Sequence, residues 1–411
     1  MLGPAWQHRG VYARIALRNL WRQPVRTAVA GLAVAVAVAA LVFADAWARG
    51  IGAAIREYAA SSRLGAVQLH APGYLDNPEA FPLDRTLALD DEVRRQLAAL
   101  PGARGVAGRI RFGATGSNGT DETMVLGLAI EPEQESRACP LFLTSDLERG
   151  RTLRADDTET AIVGSGLARS LSLDPGEVLT LQARDARGRE NAVDVQVVGV
   201  ASSSLPDEAK WLVIVPLGTA QQLLGLEGRV TSVVLGGAVE ETDALAARAR
   251  AARPELDVRT WRELGVYFEQ AVKTFAFAQR FLMGVLASLV LLVIVNIAVV
   301  STSERAREIG TLTALGASAG VIRGLFLLES ASFGAMAALL GALLGFAGSA
   351  AAAAKGIPFT PPNQPTVLVH PAADASFGGV AVVGATFLCM LGTFLPAVVA
   401  ARLPPSSALK P

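Results

Sequence analysis

Four long runs without charged residues constrain this chain more than any other feature. The runs are Thr27–Ala44, Phe281–Ser303, Ser330–Ala354 and Ala375–Ala401. A helix needs roughly 18 or more mainly apolar residues to cross the ~30 Å hydrocarbon core of a bilayer. The sequence therefore predicts an α-helical membrane protein whose four transmembrane helices occupy residues 27–48, 275–303, 324–354 and 375–401.

The composition indicates that a large water-exposed part accompanies these spans. The 411 residues are 51% hydrophobic and 18% charged, with a mean hydropathy of +0.39. The chain is thus too apolar for an average soluble domain and too charged to lie wholly in the bilayer. Its 37 basic and 37 acidic residues cancel, so we expect membrane lipid and no nucleic acid among its partners.

Basic residues flank the predicted spans unevenly. Five arginines precede the first span, three lie between the second and the third, and Arg402 and Lys410 follow the fourth. The connection between the third and fourth spans has only Lys355. Cytoplasmic segments of membrane proteins carry the excess of Lys and Arg. We therefore expect both termini, including the tail 402–411, in the cytoplasm of a bacterium, with residues 49–274 and the loop 355–374 on the outer side of its inner membrane.

The first 26 residues have a helical pattern of their own. Arg14, Arg18 and Arg22 recur every four residues opposite an apolar side, which predicts an amphipathic leader helix on the inner membrane face. A simple topology signal is the alternative. The leader and the first apolar run are both longer than those of a typical signal peptide, so we expect an uncleaved anchor.

Residues 49–274 contain two similar β-α-β patterns. The strand, helix and strand stretches are 66–70, 89–100 and 104–112 in the first, and 231–237, 240–252 and 256–261 in the second. Two such halves predict a split βαβ sandwich of the ferredoxin type, an α+β fold. Residues 113–225 between them alternate short strands with glycine turns, which predicts a β-rich insert and two subdomains.

Motifs for catalysis are absent from the sequence. No Gly-x-x-x-x-Gly-Lys-Ser/Thr loop occurs, so the chain cannot hold ATP in that way. The histidines (His8, His70, His370) are scattered, and Cys139 and Cys389 lie in dissimilar surroundings. We expect no catalytic residue, metal site, disulfide or cofactor on this chain.

Residues 303–318, "SERAREIGTLTALGAS", place charges and an apolar stripe between two spans. On a helix, Ile309, Leu312, Leu315 and Gly316 share one apolar face, and the charged residues Glu304, Arg305, Arg307 and Glu308 precede this stripe on the same stretch. An amphipathic helix within 304–323 could seat its stripe in a groove of a soluble motor. A plain interfacial loop is the alternative.

This stretch, together with "RNLWRQPVRTAVAGLAVAVAV" near the start, resembles the FtsX/MacB-type permeases of ATP-binding-cassette (ABC) transporters. The resemblance covers nearly the whole chain and implies a type VII exporter-like fold. It further implies that residues 304–317 form a coupling helix on a separate ATPase, present in two copies, which binds the ATP and Mg. A second permease copy or a paralogue completes the machine, which transmits ATP-driven motion to the extracytoplasmic domain.

The cargo is less constrained. "LGAVQLHAPGYLDNP" is similar to the lipoprotein-releasing (LolC/LolE-type) branch, which extracts acylated proteins from the membrane. Such cargo calls for an apolar cleft, for which the candidates are Phe43, Trp47, Ile51, Tyr267, Phe268, Phe275 and Phe277. These residues can equally be interfacial anchors. Efflux of a peptide or antibiotic, control of cell-wall hydrolases, and a motorless sensor or scaffold are the alternative functions.

A few residues stand out within the spans. We expect Glu329 to have a structural role near the cytoplasmic end of the third span, with proton coupling as the alternative. Asn296 suits an interhelical hydrogen bond. Gly334, Gly341, Gly345 and Gly348 allow close helix packing, either at a dimer interface or within one chain.

Overall fold

The computed structural model describes residues 24–142, 147–202, 208–304, 318–360 and 366–400. The chain forms two compact units. The helical unit contains the residues up to Gly52, Lys273–Ile357 and those from Val369 onward, and the sheet unit contains Ala53–Val272 and Pro358–Leu368.

The α-helices of the described residues, in chain order, are α1 (Pro24–Ser61), α2 (Asp91–Ala98), α3 (Pro132–Ala138), α4 (Ser165–Ser170), α5 (Leu217–Leu224), α6 (Thr242–Ala252), α7 (Trp261–Leu264), α8 (Val266–Glu304), α9 (Ala319–Lys355) and α10 (Ala375–Ala400). The strands are β1 (Val67–His70), β2 (Leu87–Ala88), β3 (Gly105–Ser117), β4 (Glu122–Ile130), β5 (Leu147–Gly150), β6 (Thr160–Gly164), β7 (Val178–Arg184), β8 (Glu190–Ala201), β9 (Leu212–Pro216), β10 (Arg229–Val230), β11 (Ser232–Gly236), β12 (Asp257–Thr260), β13 (Ile357–Phe359) and β14 (Val367–Val369).

Four helices among the described residues, α1, α8, α9 and α10, are long and apolar enough to cross a membrane. Two of them extend well beyond the predicted spans. The 38 residues of α1 span about 57 Å at 1.5 Å per residue, almost twice the hydrocarbon thickness. Residues 49–61, which we had assigned to the extracytoplasmic domain, therefore continue this helix. Hydropathy identifies the segment of a helix that is apolar enough for the bilayer. It does not report where the helix ends, and the alanine residues after this segment favour a helical backbone.

The core of the helical unit is made of small and β-branched side chains. Nine side chains from α1, α8, α9 and α10 form one buried cluster: Val34, Val38, Val42, Ile294, Ala337, Ala338, Ala342, Ala385 and Cys389. A hydrogen bond of 2.7 Å from the Ser330 hydroxyl to the Thr393 hydroxyl also joins α9 to α10. Small side chains allow these helices to approach closely.

The two β-α-β patterns form the sheet arrangement that the sequence predicts. β1 lies between β12 and β11, and β11 pairs with β3, all antiparallel. The spatial order β12-β1-β11-β3 is that of a split βαβ sandwich, in which each strand–helix–strand unit leaves room for a strand of the other. Helices α2 and α6 provide the two crossovers.

The insert continues the same sheet in the described residues, and its division into two subdomains stays a prediction. β3 is 13 residues long. It pairs with β11 through one end, with β4 along most of its length and with β7 at the other end. The order β4-β9-β6-β8-β5 then extends the sheet. A strand shared by both parts makes them one hydrogen-bonded body.

Both faces of this sheet are covered. Along β3 and β11, Val106 and Val233 join the larger core, whereas the next residues, Ala107 and Val234, join a smaller core on the opposite face. Alternate side chains of a strand point to opposite faces. The smaller core also contains Cys139 and Phe142.

Candidate functional site

The predicted coupling residues lie almost entirely outside the described structure, which ends at Glu304 in α8 and resumes at Ser318. The Ser318 hydroxyl caps α9 by accepting a hydrogen bond from the backbone N–H of Val321 at 3.4 Å. The coupling assignment of Glu304, Arg305, Arg307, Glu308, Ile309, Leu312, Leu315 and Gly316 stays a prediction.

The glycines of α9, the predicted third span, pack against helices of the same chain. A Cβ added to Gly345 would stand 2.8 Å from Val42 Cβ of α1, and one added to Gly334 would stand 2.9 Å from Cys389 Cβ of α10. Gly341 faces α1 in the same way. Of the two interpretations left open, intrachain packing accounts for these glycines.

The two polar residues of the spans are placed differently. Glu329 is half-buried on α9, next to the Ser330 that contacts Thr393. Asn296 is exposed on α8. The structural role of Glu329 and the interhelical hydrogen bond of Asn296 stay predictions.

At one end of the helical unit, polar contacts join α1 to the segment before α10. The Arg49 guanidinium contacts Asp374 at 3.0 Å and Asp45 at 2.7 Å, and the Ala372 N–H donates to the carbonyl oxygen of Ala46 at 2.9 Å. Asp374 also accepts from the hydroxyl and N–H of Ser376, and these hydrogen bonds, with the charge of Arg49, lower the pKa of Asp374. This clasp holds the start of α10 against α1.

The seven cleft candidates are divided between the helical unit and the sheet unit. Phe43 lies beside Gly348 of α9, Ile51 is buried, and Phe277 is 70% exposed. Phe268 packs in the sheet unit, with its ring centroid 6.4 Å from that of Tyr58. Trp47 is half-buried, Phe275 is exposed, and the side chain of Tyr267 is outside the description. The cleft stays a prediction.

A groove of about 1070 Å³ lies elsewhere in the sheet unit. Its lining includes Phe81, Phe112 and the exposed Met124, together with the β7–β8 hairpin, and none of the seven candidates.

Sequence reasoning missed a buried polar cluster at the end of α1 within the sheet unit. Arg109 of β3 is 5% exposed and Glu135 of α3 is fully buried. The Arg109 Nε donates to Glu135 at 3.0 Å, Nη2 donates to the other oxygen of the same carboxylate, and Nη1 donates to the carbonyl oxygen of Arg63. The one available signal was an arginine at an inward position of an apolar strand.

Two neighbours complete this cluster. Cys139 Sγ lies 3.3 Å from Arg109 Nη2, and the ring of Phe142 lies 5.4 Å from the guanidinium carbon. Burial opposes the charge of Arg109, but the facing carboxylate of Glu135 raises the pKa of Arg109 above its ordinary value. Burial also raises the pKa of the Cys139 thiol to about 12, so the thiol is protonated at neutral pH. The cluster has the character of a structural joint.

Two family models match the chain. Residues 27–253 match the MacB-like periplasmic core domain and residues 280–405 match the FtsX-like permease C-terminal domain. The chain belongs to the family with a MacB-like periplasmic core domain followed by an FtsX-like permease domain. It is therefore a membrane permease of the MacB/FtsX type, and the sheet unit corresponds to its periplasmic core domain.

Individual relatives agree with this assignment. The chain is 26% identical over 420 residues to the macrolide export ATP-binding/permease protein MacB of Hyphomonas neptunium, covering 96% of this chain and 60% of that protein. It is 29% identical over 231 residues to the same-named protein of Marinobacter nauticus, covering 53% and 34%. The chain thus spans less than two thirds of the length of either relative.

Among solved structures, the periplasmic region of MacB from Actinobacillus actinomycetemcomitans is similar. It has 11% sequence identity and a TM-score of 0.36, covering 49% of this chain and 92% of that structure. The family assignment rests on the domain matches, which describe the permease and say nothing specific of a lipoprotein-releasing branch.

Proposed function

We propose that this chain is the permease of an ABC exporter, which transmits motion from an ATPase in the cytoplasm to its periplasmic core domain. The observation that carries the proposal is the continuity of α1 and α8. Each helix combines a membrane-length apolar segment with residues that belong to the sheet unit. A continuous helix is stiff along its axis, so displacement of its membrane part reaches the sheet unit.

ATP and Mg bind to the ATPase, and the coupling stretch 304–317 receives the push. We place two ATPase copies and a second permease copy or paralogue in the assembly, in the inner membrane, with both termini cytoplasmic. The positive-inside distribution of arginine supports this orientation.

Efflux of a macrolide-like or peptide compound is the substrate class we propose first. Both MacB relatives are named for macrolide export. Lipoprotein release rests on the similarity of residues 64–78 to that branch, and its predicted apolar cleft stays a prediction. Control of cell-wall hydrolases and a motorless scaffold have no further observation in their favour.

Deletion of the gene in its native bacterium separates these substrates. We expect deletion to raise sensitivity to erythromycin, used as the probe, and to leave release of radiolabelled lipoproteins from spheroplasts unchanged. The wild-type gene should restore resistance, and a Leu312→Asp/Leu315→Asp variant should not. Retained lipoproteins with unchanged erythromycin sensitivity would assign the lipoprotein-releasing function instead.

A further inference from the structure

We propose that the buried Arg109–Glu135 pair is the joint that fastens the end of α1 to the sheet, so that the sheet follows this helix when it moves. The inference deepens the proposed function and rests on it for the motion. The joint itself is a property of the folded chain.

The last carbonyl groups of a helix have no partners within the helix. The carbonyl oxygen of Ser61, the last residue of α1, accepts from the backbone N–H of Leu141 at 3.0 Å. In the turn that follows, the carbonyl oxygen of Arg63 accepts from Arg109. Both donors belong to other elements of the sheet unit. Other elements of the sheet unit therefore cap the end of α1 and the turn after it.

Helix α3 positions the donors of both hydrogen bonds. Its Glu135 orients the guanidinium of Arg109, and the segment that follows α3 carries Leu141. The guanidinium is a planar fork, and it spans two oxygens of Glu135 and one of Arg63. Such a fork fixes direction as well as distance. One ion pair thus sets the position of the last turn of α1 relative to β3.

The covalent link from α1 to β1 is tied by backbone hydrogen bonds from the Leu64 N–H to Ala59 and from the Ala66 N–H to Leu235. It is a short turn through Gly65, whose φ of 67° is in the left-handed region. The apolar contacts of Ala59 and Ala60 with Trp261 hold the side of the helix, but apolar contacts are non-directional. Without the fork, the backbone bonds of this turn remain, but the contact of Arg63 with Arg109 of β3 is lost, so the last turn of α1 is held less firmly.

The chain contains a matched control pair. Arg94 of α2 contacts Glu131 at 2.7 Å, with both side chains about a quarter exposed. Arg94 donates to the carbonyl of Val106, and Glu131 accepts from the N–H of Gly108. This pair joins the same strand to the segment before α3 and makes no hydrogen bond to α1 in the described residues.

Hydrogen exchange of the full chain in lipid nanodiscs tests the joint without ATP. In Arg109→Met/Glu135→Leu, we expect amides of residues 58–64 to exchange roughly tenfold faster or more, because the turn after α1 loses its contact with Arg109 and the last turn of the helix opens more often. Amides of β1 and β11 should keep their protection. Arg94→Met/Glu131→Leu should leave residues 58–64 unchanged. Wild-type protection of residues 58–64 in the Arg109/Glu135 variant would overturn the joint.

Distances between spin labels on the two permease copies, with the ATPase present, test the motion. The native thiols are buried, so cysteines introduced at the exposed positions Val36 of α1 and Val178 of β7 can be labelled selectively. In the Arg109/Glu135 variant, ATP should still shift the Val36→Cys distance but should shift the Val178→Cys distance less than in the wild type, because only the connection through α8 is intact, while ATP hydrolysis continues. An unaltered shift at Val178→Cys would overturn the inference even if exchange is faster.

Arg109→Lys provides a second variant if the double substitution prevents folding. An ammonium keeps the charge beside Glu135 but cannot span the same oxygens in one plane, so it should show the same two effects. If the wild type itself shows no ATP-dependent shift, the proposed function fails, and the exchange measurement still decides the joint.

Discussion

Gly341 of α9 lies directly against the backbone of Ala35 in α1. A Cβ added at Gly341 would stand 2.9 Å from Ala35 Cα and 2.9 Å from Val38 Cβ. Carbon atoms without a bond between them do not approach so closely. The two helices therefore meet backbone to backbone, and they pack as one body at this point.

Gly341→Leu should loosen this packing. Overfilling a close helix contact costs about 1–3 kcal/mol, so we expect a lower melting temperature of the purified chain in detergent. Gly324→Leu is the control on the same helix, because a Cβ at Gly324 meets nothing within 4 Å. Equal melting of the two variants would contradict intrachain packing at Gly341.

The Arg109–Glu135 pair predicts a contrast between single and double substitutions. Glu135→Leu leaves a buried, unpaired guanidinium and should cost about 3–5 kcal/mol, whereas Arg109→Met/Glu135→Leu removes both charges and should stay close to the wild type. Urea unfolding of the full chain measures both, followed by tryptophan fluorescence, to which the fully buried Trp261 contributes as one of five tryptophans. A double variant as unstable as the single one would show that packing, and not charge, dominates here.

His70 predicts a loss of stability in mild acid. It is 3% exposed and stacks on Tyr74 with 5.1 Å between the ring centroids. Burial lowers the pKa of His70 from 6.5 to about 4, against the opposing charge of Asp257 and with smaller contributions from Arg111 and Arg259. The unfolded chain therefore binds the proton at a higher pH than the folded one, so stability is full above pH 6.5 and falls as the pH drops toward 4.

This loss amounts to about 3 kcal/mol, since each unit of pKa difference is worth about 1.4 kcal/mol. His70→Phe keeps the stacked ring and removes the proton site. Urea unfolding at a series of pH values between 4 and 7 should therefore give a shallower pH dependence for the variant. The same slope in both proteins would assign the acid sensitivity to other groups.

The coupling stripe predicts a defect confined to the ATPase contact. Leu312→Asp/Leu315→Asp should abolish co-purification of the ATPase, because a charge enters the apolar stripe. Ala314→Asp lies on the opposite side of the same predicted helix and should have little effect. Normal ATPase recovery with the stripe variant would favour the plain interfacial loop.

The β-α-β halves could be predicted from the sequence because strand and helix periods are local. Stretches 66–70 and 231–237 contain β1 and β11, and stretches 89–100 and 240–252 contain α2 and α6. Even the interleaved strand order followed from the motif. It could not be predicted that β3 belongs to both the split βαβ part and the insert, because the partners along a strand of 13 residues depend on the pairing register.

Contacts between residues far apart in the sequence could not be predicted either. Arg109 and Glu135 are 26 residues apart, and nothing local marks one as the partner of the other. The small residues Gly341 and Gly345 predicted that another helix packs closely against α9. They did not show whether that helix is α1 of the same chain or a helix of a second copy. The length of α1 beyond the membrane was missed because an alanine-rich helix continues without an apolar signal.

The central claim, that ATP hydrolysis moves the periplasmic core domain, is tested most directly by one distance. The chain with Val178→Cys, spin-labelled and reconstituted with its ATPase in nanodiscs, reports the separation of the two core domains. We predict a shifted distance distribution with ATP relative to ADP. The same distribution under both nucleotides, while ATP is being hydrolysed, would contradict the transmission of motion by this permease.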